Sequence, residues 1–148
     1  MQSVRAPNFR YSVWSDMSKD NVSIVQKIYA EFGAGNVEGI LAMLSDDIEW
    51  SEPPSGVAPF AGTRRGRTQV AEFFQSLFAM CEPVQFEPGE FIGHGNKVIV
   101  FGSYQFRAKP TGKTWDSDWV MTWTLAGDKV TRFKIYKDSA AEVAAFQA

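Results

Sequence analysis

The chain has 148 residues, which suits one domain that can close a core without a disulfide or metal staple. It is 45% hydrophobic and 22% charged with a net charge of −2, which excludes a disordered chain and a basic nucleic-acid-binding surface. No apolar run approaches the ~18 residues of a membrane span, and the lone Cys81 excludes an internal disulfide.

In chain order, residues 1–19 lack periodicity and are expected to form a flexible arm, with Phe9, Tyr11 and Trp14 as its packing candidates. They also lack a signal-peptide apolar region, so a cytoplasmic location is expected. Ser18 or Asp20 can cap a helix from about Asn21, where Val22, Val25, Ile28, Tyr29 and Phe32 recur at helical spacing. Gly33 and Gly35 end it, and Asn36 caps a shorter helix carrying Ile40, Leu41 and Leu44. A strand over Asp46–Pro54, "DDIEWSEPP", follows and is cut off by Pro53 and Pro54. "SGVAPFAGTRRG" reads as a loop, with Arg64, Arg65 and Arg67 in a solvated turn. A third helix, with Thr68 as cap, carries Val70, Phe73, Phe74, Leu77 and Phe78. Cys81 near its end is expected to be a buried, inert thiol.

From about Val84 the pattern is β. Four strand-like segments are separated by "GHGN", "KPTGK" and "AGDK", which carry hairpin-turn chemistry. "SAAEVAAFQ" closes the chain as a short helix. Helices first and a meander after predict an α+β layer fold with one sheet face against the helices. Alternation places Trp115, Ser117, Trp119, Met121, Trp123 and Leu125 on that face, with Val100, Tyr104 and Phe106 beside them. The opposite face is also partly apolar, so a homodimer through the outer sheet face is expected. Asp116 and Asp118 fall on it, as surface or interface charges. In "DDIEWSEPP", Ile48, Trp50 and Glu52 share a face, so a carboxylate points inward beside an indole. His94, the one histidine, lies in a turn, and with no Cys pair a metal site is not expected.

Three stretches together resemble a known superfamily: "VQKIYAEFGAGNVEGILAMLSDDIEWSEP", "FAGTRRGRTQVAEFF" and "VMTWTLAGDKVTRFKIYKDSAAEVAAF". They are similar to the ketosteroid-isomerase-like and SnoaL-like polyketide-cyclase branch of the nuclear-transport-factor superfamily, over residues 20–148 as a single domain. The resemblance implies a conical α+β barrel, a curved and mostly antiparallel sheet wrapped around the N-terminal helices, with an apolar pocket at one end. It also implies chemistry without a cofactor.

Through "DDxxWxEP", Glu52 matches the isomerase's catalytic carboxylate, which makes it the candidate general base. The isomerase's tyrosine donor aligns with Ile28. Tyr29 is one residue off, about 100° around the helix, and is expected to point elsewhere. The protonated acid of the oxyanion site aligns with Met121, and Ile135 stands where cyclase-like relatives often place an acid. Phe133, Ile135 and Lys137 fall on the inner face of the last strand. Tyr104 is the other inward polar tip and the candidate donor. Trp50, Trp119, Met121, Trp123, Phe133, Ile28 and Ile135 would line a pocket for a small apolar ligand. Three readings stay open: an isomerase- or cyclase-type enzyme, a ligand-binding domain without chemistry, and a dimeric interaction module with a filled cone.

Overall fold

In the computed structural model, residues 5–55, 58 and 60–148 are described, with side chains from residue 18 onward. Helices α1 (Arg5–Gly33) and α2 (Val37–Leu41) lead into strands β1 (Leu44–Glu52) and β2 (Gly62–Arg65). Helix α3 (Arg67–Met80) then precedes β3 (Cys81–His94), β4 (Lys97–Ala108), β5 (Thr114–Ala126) and β6 (Lys129–Lys137), and α4 (Ser139–Phe146) follows. The six strands form one sheet in the order β2-β1-β6-β5-β4-β3. The hairpins β3–β4, β4–β5 and β5–β6 are antiparallel, while β1 runs parallel to β6. The fold is α+β with a curved, mixed sheet.

The alternation along β5 sorts its side chains as expected. Trp115, Ser117, Trp119, Met121, Trp123 and Leu125 are buried, while Asp116 and Asp118 are exposed. On β4, Val98, Val100, Tyr104 and Phe106 join the same buried face. Helix α1 turns Val25 and Ile28 onto it and α3 adds Val70, Phe73 and Phe74, so the core lies between one sheet face and the helices. Gly102 sits where β4 passes under Trp119. A Cβ there would fall 2.3 Å from the indole Cζ2 and 2.6 Å from the Glu87 carbonyl oxygen. The outer face keeps Phe101 and Tyr136 exposed.

Several local expectations are corrected. The helix expected from Asn21 begins at Arg5, within the stretch read as an arm. Pro7 falls in its first turn, where a missing N–H costs nothing because those donors have no intrahelical acceptor. The packing expected of Phe9, Tyr11 and Trp14 lies outside the described side chains. Leu44 belongs to β1, not to α2, which ends at Leu41. Asn36 does cap α2, accepting from the Gly39 N–H at 3.2 Å. The "GTRR" stretch is a strand, with Arg64 opposite Trp50 and Arg65 opposite Glu49. Arg64 is half-buried and donates to the Phe60 and Ala61 carbonyls, both at 2.8 Å. Thr68 lies inside α3, whose N-cap is Gly66 at φ 84°, a left-handed conformation that favours glycine. The third β segment starts at Cys81 rather than Val84, and His94 is its last, exposed residue.

Candidate functional site

A cavity of about 80 Å³ lies between the inner sheet face and the helices, and its walls are almost wholly aromatic and aliphatic. Trp50 stacks on Phe133 at 4.0 Å between ring centroids, and Trp123 meets both. Phe74, Phe86 and Phe106 add further wall. One cluster of charges breaks this apolar surface.

The cluster follows from strand register. Trp50 pairs with Phe133 and Ser51 with Lys134 across the parallel β1–β6 ladder. The inward residues that end the two strands, Glu52 and Lys137, therefore arrive at the same end of the cavity. Asp138 caps α4 by accepting from the Ala141 N–H at 3.0 Å, and the helix turns Glu142 inward. Lys137 Nζ donates to Glu52 Oε1 and to Glu142 Oε1, the latter at 2.7 Å. The side chains of Lys137, Glu52 and Glu142 are only 5%, 7% and 2% exposed. The ammonium also lies 5.3 Å from the Phe60 ring centroid, a cation–π distance.

Two carboxylates thus face one ammonium in an apolar setting. Burial pushes the Glu52 carboxyl above its ordinary value; the Lys137 charge and hydrogen bond oppose this, the Glu142 charge adds to it, and the Arg64 charge opposes it again. For Lys137, burial works to lower the value, but Glu52, Tyr104 and Glu142 outweigh it and hold the ammonium above the ordinary lysine range. Tyr104 is buried beside them. Burial pushes its hydroxyl up and the Lys137 charge pulls it back. A groove of about 470 Å³, lined by Ser51, Thr63, Lys134 and Tyr136, reaches Glu52 and Lys137 as well.

A second polar point faces the cavity from α1. The Tyr29 hydroxyl accepts from Trp123 Nε1 at 3.2 Å and donates to Met121 Sδ at 2.9 Å. A thioether is a weak acceptor, so that proton is open to capture by a ligand oxygen. Burial pushes the Tyr29 hydroxyl up and the Trp123 hydrogen bond pulls it back. Met121 pairs with Ile135 and Trp119 with Lys137. The β5 positions behind Tyr29 and opposite Lys137, Met121 and Trp119, are therefore two residues apart along the strand.

The sequence profile of the SnoaL-like domain matches residues 25–133. The chain belongs to the SnoaL-like family. It is 37% identical to a nuclear-transport-factor-2-like protein from Burkholderia xenovorans, covering 88% of this chain and 98% of that one with a TM-score of 0.80. A second such protein, from Burkholderia pseudomallei, is 24% identical with a TM-score of 0.81 over 87% of this chain and 98% of that one. TerC, crystallised with polyporic acid, is 28% identical with a TM-score of 0.77, covering 87% of this chain and 99% of that one. Comparison with curated proteins gives no match.

In this SnoaL-like chain, Glu52, Tyr104, Trp50, Met121, Trp123, Phe133, Ile28 and Ile135 all line the cavity. Trp119 does not: it is buried behind Tyr29 and Phe86, stacked on both. Tyr29 does line it, against the expectation that a one-residue offset would turn it away. The apolar stripe of α1 is wide enough that Ile28, Tyr29 and Phe32 all reach the cavity. Lys137 and Glu142 were not expected as partners of Glu52. The available signals were a charge at the inward end of each strand and a lone acid in "SAAEVAAF". Cys81 is buried as expected; its thiol donates to the Leu77 carbonyl at 3.2 Å, and burial pushes it up to about 12. Among the described residues no group of three or more His, Cys, Asp or Glu is placed to hold a metal ion, and no helix is long and apolar enough to cross a membrane.

Proposed function

We propose that the chain takes a small, mostly apolar molecule bearing a carbonyl into this cavity and moves a proton on it, as an isomerase or cyclase does, without a cofactor. The observation that carries this reading is Glu52, a buried carboxylate in an aromatic cavity, in contact with Lys137 and pushed above its ordinary value by burial. In its ionised form Glu52 would take a proton from the carbon next to the carbonyl. The enolate oxygen would receive a hydrogen bond from Tyr29 or Tyr104, and the same carboxyl would return the proton at another carbon. TerC, found with polyporic acid at 28% identity, supports a pocket that binds a ligand. A dry cavity of roughly 150 Å³ accommodates benzene, so at about 80 Å³ the cavity excludes a polycycle and must widen to admit one ring.

A second reading, ligand binding without chemistry, draws on the ion pair itself: Lys137 already satisfies Glu52, which lowers its appetite for a proton. Binding is tested with 2-cyclohexenone and 2-indanone by thermal shift and tryptophan fluorescence. A ligand at 100 times its dissociation constant adds about 2.7 kcal/mol, or roughly 5–10 °C in a domain of this size. Tyr29→Phe should weaken binding of both ketones. An unchanged melting temperature for every ketone, in folded protein, contradicts the pocket reading.

A further inference from the structure

Glu142 is a second anion on the Lys137 ammonium. Glu52 alone would balance the Lys137 ammonium, yet a second carboxylate, 2% exposed, is driven onto it at 2.7 Å. The helix that delivers it reads "SAAEVAAF", with Glu142 as its one charged residue. Placing a lone acid on the buried side of an alanine-rich helix runs against the ordinary partition of charges. The acid pairs with Lys137 but adds like charge beside Glu52.

The helix is short, eight residues over Ser139–Phe146. Besides Glu142, it is held by Ala145 in the core with Ala141 and Phe146 packed against it, Phe146 meeting Phe60 and Trp115, by the Ala145 and Gln147 carbonyls that Thr111 and Lys113 donate to, and by the Asp138 N–H donated to Ser117 Oγ at its N-cap. Eight residues do not hold a helix on their own, so its order depends on docking. Glu142, Phe60 and Trp115 all line the cavity. The space that the Glu142 side chain fills is therefore continuous with the space a ligand would enter.

We infer that the Glu142 carboxylate is an internal stand-in for a ligand carboxylate, and that the Lys137 ammonium is the recognition point for a small cyclic or aromatic monocarboxylic acid. This rests on the pocket reading above and narrows its substrate class. The exchange is balanced in charge: one carboxylate leaves Lys137 as another arrives, so no additional charge is buried. It also yields room, because undocking α4 withdraws the Glu142 side chain from a cavity too small for a ring. The ring would lie against Trp50, Trp123 and Phe133, with Lys137 at its acid end.

The test is titration of wild-type protein and Glu142→Gln with benzoate and its neutral isostere benzamide, followed by tryptophan fluorescence. Glu142→Gln removes the competing charge and keeps the shape. It should bind benzoate at least tenfold more tightly than wild type, while its affinity for benzamide changes less than twofold. In wild type, benzoate should speed amide hydrogen exchange across residues 141–146, as α4 undocks. Lys137→Met in the Glu142→Gln background should lose the benzoate gain. Equal gains for benzoate and benzamide would overturn the inference while leaving an open pocket. Benzoate binding no tighter in Glu142→Gln than in wild type, or greater protection of 141–146, would also overturn it. Failure of both probes and of the neutral ketones would remove the pocket reading itself. Circular dichroism of each variant establishes folding, and Glu142→Asp, which keeps the charge, should bind benzoate no more than threefold better than wild type.

Discussion

Lys137→Met is the sharpest perturbation available, because it takes one cation away from two buried carboxylates. The replaced side chain is 5% exposed and its partners 7% and 2%, so water cannot supply what the ammonium did. Breaking a buried pair in this way costs about 3–5 kcal/mol. At roughly 2–4 °C per kcal/mol for a domain of this size, the melting temperature at pH 7 should fall by about 6–20 °C. The loss should depend on pH, with a definite sign. The Glu52 carboxyl is already held above its unfolded value by burial, and without Lys137 it rises further. A group raised in the fold contributes stability that is present below its unfolded value, about 4.3 for Glu, and lost as pH climbs through its folded value. The penalty should therefore be large at pH 7 and shrink toward pH 4.5. Combining Lys137→Met with Glu52→Gln and Glu142→Gln should recover most of it, since no uncompensated charge is left buried. Thermal denaturation of wild type, Lys137→Met and the triple variant at the two pH values reads all of this. A Lys137→Met melting temperature within about 2 °C of wild type at pH 7, or a loss unchanged at pH 4.5, would refute the reasoning.

Gly102→Ala should destabilise by about 1–3 kcal/mol through overpacking, because its Cβ would collide with Trp119 and with the Glu87 carbonyl; denaturant melts measure this. Cys81 should resist thiol reagents at pH 8 in the native state and react only on unfolding, since its thiol is buried and pushed up to about 12. The expected homodimer through the outer sheet face predicts twice the chain mass on gel filtration. Phe101→Asp, a change on that face at a residue 43% exposed, should give the monomer mass with the melting temperature measured in dilute protein unchanged.

What could be read beforehand was whatever obeys a local period. Two-residue alternation on β4 and β5 is strict, so the inner face, and the cavity-lining Tyr104, Met121 and Trp123 with it, followed directly from the sequence. The Gly-polar turns located the hairpins for the same reason. The misses are non-local. "GTRR" is too short and too charged to announce a strand; it becomes one because β1 offers it an edge, with Trp50 opposite Arg64. The Glu52–Lys137 contact joins residues 85 apart and depends on β1 lying parallel to β6, a pairing that no pattern inside either strand encodes. Tyr29 was misjudged by treating one helical step as decisive, when an aromatic side chain on a broad stripe reaches the cavity from either of two adjacent positions.

The most direct measurement of the proposed chemistry is hydrogen–deuterium exchange at carbon. 2-Indanone and phenylpyruvate are incubated in D₂O with wild type and with Glu52→Gln, and deuterium at the carbon next to the carbonyl is followed by NMR. Proton transfer by Glu52 predicts exchange well above the buffer rate with wild type, and its loss in a Glu52→Gln protein that still binds the compound. Exchange at the same rate in both proteins, or tight binding to wild type with no exchange, would contradict it.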